Sequence, residues 1–287
     1  MRLGALNFLP RHLGELRPAQ LRQLRDLGFT GTGLPGADDP ATIPTARAVE
    51  MGQMFRDAGV DLVEYGRYST TLIAPDAEVR QRNLDDLREA CRVAAAAGCP
   101  AVIVGAGSHN PNGSWFAHPD NFNTETLDRL IATLREAARL AEEAGVLLGL
   151  ECHTVTPLKD ATTARAVLDA VASPALRVHL DPVNWLTWET VYRSGAATMA
   201  MFDTLGAARL LGAHSKGVTV EEKLIIHLSE TVTGAPHDLF DHAALLRLAA
   251  RMPRDFYVVV EHLTAAQMPA ARDHLFQLAE QIGVRFE

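Results

Sequence analysis

Short apolar runs recur along the chain, separated by about one helix and one loop. They cover approximately residues 2–8, 28–33, 60–65, 100–106, 146–151, 177–182, 209–215 and 255–262. Runs of this length, bounded by turn residues and rich in Val, Leu and Ile, read as buried strands. Before several of them stands the same unit: an Ala/Leu/Arg-rich segment, then a small residue with a glycine, then the apolar run. RQLRDLGFTGTGL, MFRDAGVDLVEY, CRVAAAAGCPAVIVGA and ARLAEEAGVLLGLE are instances. Gly28, Gly59, Gly98 and Gly145 fall where a helix ends on a left-handed residue. The strongest helices are predicted over 79–97 and 123–144, the latter with apolar positions spaced by three and four in LDRLIATLREAARLAEEAG. Helix, short loop and buried strand in alternation is α/β organisation. Eight such strands predict a (β/α)8 TIM barrel, one domain over residues 1–287. A doubly wound open sheet is the alternative, but it would carry a glycine-rich phosphate turn after its first strand. LPRHLGEL follows the first strand, and TGTGLPG near the second lacks the GxGxxG spacing.

Composition narrows the partners. With 47% hydrophobic and 22% charged residues, the chain is an ordinary globular one, long enough to bury a sizeable core. A net charge of −8 argues against nucleic acid, whose phosphates select a basic face. Neither a signal-peptide pattern nor a membrane-length apolar stretch is present in the sequence, so a cytoplasmic protein without a membrane partner is expected. Cys91, Cys99 and Cys152 form no CxxC motif and read as reduced thiols. Cys152 follows Glu151, so strand alternation turns it away from the barrel axis if Glu151 faces inward.

Four residues carry the chemistry. Glu151, Asp181, His214 and Glu261 each stand at or near the C-terminal end of an apolar run: VLLGLE, LRVHLD, ARLLGAH and FYVVVE. A parallel barrel gathers such ends on one face. Separations of 30, 33 and 47 residues place them on four successive strands, the last connection lengthened by an insertion. One acid near a strand end is ordinarily a cap or a surface charge. Three acids together at apolar strand ends are costly unless a cation neutralises them. Three carboxylates and an imidazole suit one divalent ion, with manganese the leading expectation and magnesium, cobalt or zinc also compatible.

The segments GLECH, HLDPVNW, GAHSKG and VVVEHL resemble the sugar phosphate isomerase/epimerase family, the xylose isomerase-like barrels that include ketose 3-epimerases, hydroxypyruvate isomerases and inosose dehydratases. The similarity covers nearly the whole chain, including GRYSTTL and the closing AARDHLFQLAEQIGV. It implies that Glu151, Asp181, His214 and Glu261 are the ligands on strands five to eight. It also implies that Glu151 and Glu261 flank a small carbohydrate substrate and exchange a proton beside its carbonyl, through an enediolate. Homo-oligomers are common in the family, and the same is expected here. The chain departs from the epimerase pattern at Pro157, Asn184 and Val220, where epimerases carry a glutamate, a histidine and an arginine. The substrate clamp of free-ketose epimerases is therefore missing.

Other polar residues are candidates to replace it. His153 shares the side of Glu151 if the strand continues; Asn184, Trp185 and Trp188 follow Asp181; Lys216 follows His214 by two. His109 and Tyr68 lie after the fourth and third strands as further pocket candidates. Glu221, Glu222, His227, Glu230 and His237 fall in a long loop after strand seven, a position where lids occur. His179 reads as a hydrogen-bonded core histidine, and His262 as pointing away from Glu261. Three functions follow: a metal-dependent isomerase or epimerase of a sugar, keto-sugar or polyol; a lyase or dehydratase of a keto-inositol or 3-keto-glycoside on the same site; or a non-catalytic carbohydrate-binding barrel. A phosphate-ester hydrolase of the endonuclease type is disfavoured by the acidic charge and by the ligand count, since those relatives use three metals and many more histidine ligands, including a third-strand histidine that this chain lacks.

Overall fold

The computed structural model describes residues 1–221 and 223–287. Among these described residues ten strands are formed: β1 (Arg2–Ala5), β2 (Gly31–Leu34), β3 (Asp61–Gly66), β4 (Ala101–Gly105), β5 (Leu147–Glu151), β6 (Leu176–Leu180), β7 (Leu210–Ser215), β8 (Gly217–Glu221), β9 (His227–Thr231) and β10 (Tyr257–Val260). Eight α-helices accompany them among the described residues: α1 (Pro18–Asp26), α2 (Thr45–Ala58), α3 (Ala77–Ala97), α4 (Thr124–Ala144), α5 (Ala161–Val171), α6 (Ser194–Leu205), α7 (His242–Ala249) and α8 (Met268–Gln281). Eight strands close a barrel in the order β1-β10-β7-β6-β5-β4-β3-β2. The barrel pairings are parallel throughout, and the closure of the ring excludes the open doubly wound sheet.

The local chemistry explains the boundaries. Asp76, Asn123, Asp160 and Asp241 cap α3, α4, α5 and α7, each side chain accepting from a backbone N–H of the first turn. At the other ends of α3 and α4, Gly98 and Gly145 adopt φ of +77° and +72°, which a side chain would resist. Helix α4 buries Leu130, Leu134, Ala137, Ala138 and Ala141 along one stripe, the periodicity visible in the sequence.

Two features matter for the site. The pairing of β6 with β7 slips between Val178 and His179, just ahead of Asp181, and such irregularities re-aim side chains. The segment after β7, expected as a loop, instead forms an antiparallel hairpin of β8 and β9, with Val218 opposite Glu230. Glu222 lies outside the described residues.

Candidate active site

Strands β5, β6, β7 and β10 are contiguous in the barrel, so Glu151, Asp181, His214 and Glu261 arrive side by side at its C-terminal end. Each offers a ligand atom, all within 4.8 Å of one another, and all four residues are buried. His214 Nδ1 lies 3.2 Å from Glu261 Oε2 and 3.6 Å from Glu151 Oε2. Among the described residues, Asp181 Oδ2, His214 Nδ1 and Glu261 Oε1 are buried without a hydrogen-bond partner. Unsatisfied atoms of this kind, converging from several strands, suit an ion that would satisfy them together. The donor set therefore fits a divalent cation.

Lys216 converges on the same place and is only 3% exposed, so it is a buried cation rather than a solvated surface residue. Its Nζ lies 2.7 Å from Asp181 Oδ2 and 3.0 Å from Glu261 Oε1, ion-pair contacts whose angles are not those of hydrogen bonds. It donates a hydrogen bond to Asn184 Oδ1 at 2.8 Å, and Asn184 Nδ2 in turn donates to Glu151 Oε1 at 3.0 Å. Lys216 and Asn184 thus bridge the quartet. From the hairpin, Glu230 reaches Lys216 at 3.3 Å and His262 at 2.8 Å.

The two glutamates are driven apart in acidity. Burial pushes Glu151 up, the Glu261 and Asp181 charges add to it, and it reaches about 8 despite His214 and Lys216. Burial also works to raise Glu261, but the His214 and Lys216 charges outweigh it and hold that carboxyl at about 2. For His214, burial lowers the value, yet Glu261 and Glu151 prevail and raise it to about 10.

A fifth acid completes the picture. Glu64, on β3, is 1% exposed and lies 3.4 Å from His214 Nε2, the ring nitrogen facing away from the quartet. Tyr68 donates its hydroxyl to Glu64 Oε1 at 2.9 Å, so Tyr68 reaches the site through Glu64. Glu64, His179 and His214 form a second group able to hold a cation. Sequence reasoning passed over Glu64 because it sits inside an apolar strand; a lone acid at that place in DLVEYG was the available signal.

The remaining candidates scatter. His153 Nδ1 accepts from Val155 N–H at 3.2 Å, and its ring meets Trp115 edge-on at 6.2 Å. Trp115, not singled out from the sequence, lines a cavity at this end of the barrel. Trp185 is buried and donates to the Leu158 carbonyl at 2.8 Å, a packing position, while Trp188 is exposed. His109 is spent on Thr126 Oγ1 at 2.9 Å, at the start of α4. His179 is buried, but neither ring nitrogen has a hydrogen-bond partner among the described residues, contrary to the expected bonded core histidine. His262 adopts φ +56° beyond the end of β10 and stays at the rim, its Nε2 3.8 Å from Glu261. Cys91, Cys99 and Cys152 are free and buried.

A cavity of about 800 Å³ opens on the Glu64 side of the site, lined by Asn7, Arg11, Glu64, Tyr68 and Trp115 among others. Another, of about 610 Å³, lies at the N-terminal end of the barrel against Asp61, Leu147, Leu210 and Tyr257. Barrels of this architecture carry their chemistry at the C-terminal face, so the first cavity is the relevant one.

A closed parallel barrel with acidic and imidazole groups gathered at its C-terminal mouth defines the class. The chain belongs to the xylose isomerase-like TIM barrel family, whose model matches residues 21–278. No curated protein matches it significantly. Among solved structures, it is similar to a xylose isomerase-like TIM barrel protein from Mycobacterium smegmatis in complex with magnesium, at 17% identity over 98% of this chain and 96% of that one, TM-score 0.70. It is also similar to a D-psicose 3-epimerase with D-tagatose from Clostridium cellulolyticum H10, at 12% identity over 99% and 100%, TM-score 0.72. A third likeness is to a 3-keto-D-glucoside 4-epimerase from E. coli, at 17% identity over 98% and 99%, TM-score 0.69. At these identities the likeness establishes a shared fold. No described helix is long and apolar enough to cross a membrane.

Proposed function

We propose that the protein is a divalent-metal-dependent isomerase or epimerase of a small keto-sugar or sugar-like polyol. The observation that carries this reading is the quartet itself, three carboxylates and an imidazole converging in a buried place with Lys216 the cation paired to them and three of their ligand atoms without a protein hydrogen bond. Glu151, Asp181, His214 and Glu261 would hold the ion, and manganese is the first to test. When bound, the ion supplies electrophilic polarisation of the substrate's carbonyl and hydroxyl oxygens. Glu261, kept ionised by His214 and Lys216, is suited to remove the proton beside the carbonyl. Glu151, the other glutamate of the quartet, is suited to return one on the opposite face. Lys216 and Asn184 would hold the two carboxylates in register. The structures of the psicose and keto-glucoside epimerases share the fold, which supports the substrate class.

A lyase or dehydratase acting on a keto-inositol or 3-keto-glycoside is the second reading. It is favoured by the absent ketose clamp and by the cavity of about 800 Å³ with Trp115 and Arg11 on its walls. That volume falls in the upper part of the roughly 300–1,000 Å³ range of drug-sized sites.

Solvent deuterium exchange into a panel of keto-sugars, keto-glycosides and inososes with added manganese tests both. Exchange with a stereoisomer or positional isomer as product supports the first reading, and loss of a β-substituent the second. Metal uptake with no exchange for any panel member would leave a carbohydrate-binding barrel. If Glu151→Gln and Glu261→Gln both keep full exchange, the proton-transfer roles are wrong.

A further inference from the structure

In the barrel order, β3 stands four places round the ring from β7, directly across the axis. Glu64 extends from β3 into that interior, and its Oε2 meets His214 Nε2 at 3.4 Å. The opposite nitrogen of the same ring, Nδ1, faces Glu261 and Glu151. Imidazole has two nitrogens, and in its neutral form one carries the hydrogen and the other the lone pair. A ligand histidine must aim the lone pair at the ion, and its other nitrogen is ordinarily fixed by an outer carboxylate or carbonyl. His214 is fully buried, so bulk water does not reach Nε2.

We infer that Glu64 is a positioning residue: it accepts the Nε2–H of His214, fixing the tautomer that presents Nδ1 to the ion. The inference rests on the metal reading of the quartet. Tyr68 completes the arrangement by donating to Oε1, which leaves Oε2 turned towards the imidazoles. His179 Nδ1 stands 3.7 Å from the same Oε2, beyond hydrogen-bonding distance, so His214 is the imidazole that Glu64 engages. Room for this crowding comes from Gly212 on β7, where a Cβ would already lie 3.1 Å from His179 Cε1.

The test uses the full chain labelled with 15N-histidine, with magnesium or zinc as diamagnetic probes and calorimetric titration of manganese. In the wild-type protein, His214 should carry its hydrogen on Nε2 in the loaded state, one ion binding per chain. Glu64→Gln should weaken manganese binding by about 10- to 100-fold, the range for loss of an outer carboxylate. It should also scramble or reverse the His214 tautomer, while Glu64→Asp recovers part of the affinity. A merely structural role would lower the melting temperature but leave the tautomer of the folded protein unchanged.

A loaded wild-type protein with the hydrogen on Nδ1 overturns the inference even if the variants do not fold. So does unchanged affinity in Glu64→Gln. Two ions per chain, one of them lost on replacing either Glu64 or His179, would make Glu64 a ligand in its own right and overturn the positioning role. A wild-type protein that takes up no divalent ion overturns the metal reading of the quartet, and this inference with it.

Discussion

His214 meets carboxylates through both ring nitrogens, and their combined field raises it to about 10 in the metal-free protein against the pull of burial. Ligation through Nδ1 requires that proton to leave. Uptake of one divalent ion at neutral pH should therefore release about two protons, one from His214 and one from the largely protonated Glu151, and the release should fade as the pH passes first 8 and then 10. Calorimetry in buffers of different ionisation enthalpy reads the number directly; a binding heat independent of buffer would place the ion away from His214. The quartet residues themselves were legible in the sequence because each closes an apolar run, where an unpaired charge is expensive. Glu64 was not, because its partner is 150 positions away across the barrel and no local pattern marks the pairing. Trp185 was legible as an aromatic beside Asp181, yet only the fold reveals that its indole N–H is taken by Leu158.

Helix packing around the barrel leaves little slack, and α2 against α3 is the sharpest case. Gly52 lies in the middle of α2, where alanine would by helix propensity alone gain about 1 kcal/mol. A Cβ there would overlap the carbonyl oxygen of Ala97 at the end of α3, a backbone atom that cannot rotate aside. Overpacking of a close contact costs about 1–3 kcal/mol and here acts on backbone, so the clash outweighs the propensity. Gly52→Ala should lower the urea midpoint and the melting temperature, while Gly145→Ala, with nothing near its Cβ, should cost only the strain of its φ of +72°. Equal stability of Gly52→Ala and wild type would show that the helices can separate freely. The same scale shows where sequence patterning works. Strands β1 to β7 and β10 are apolar runs between turn residues, and each is found within a few positions of its predicted place. The β8–β9 hairpin escaped because its strands are half-exposed and mixed, with Glu221, Ser229 and Glu230 interrupting any apolar run.

At the scale of the molecule, the site makes stability a function of pH and of metal together. In the metal-free protein His214 is raised from 6.5 to about 10, so its contribution is complete below 6.5 and is lost as the pH climbs through 10. Glu151 is raised from 4.5 to about 8, again favouring the folded state at low pH, with the loss falling between those values. Glu64 and Glu261 run the other way: both are lowered from 4.5 to about 2, and their contribution disappears only as the pH falls through that range. The metal-free protein should thus be most stable in mildly acid solution and lose melting temperature steadily from there to about pH 10. A divalent ion reverses the slope at its upper end, because it replaces the protons that the folded site would otherwise have to keep, and its binding strengthens as they leave. Melting curves at matched pH with chelator or with manganese should diverge increasingly above pH 7. A metal-free protein whose melting temperature rises between pH 6 and 9 would mean that the buried carboxylates are compensated by protein groups alone, leaving no vacancy in charge for an ion to fill.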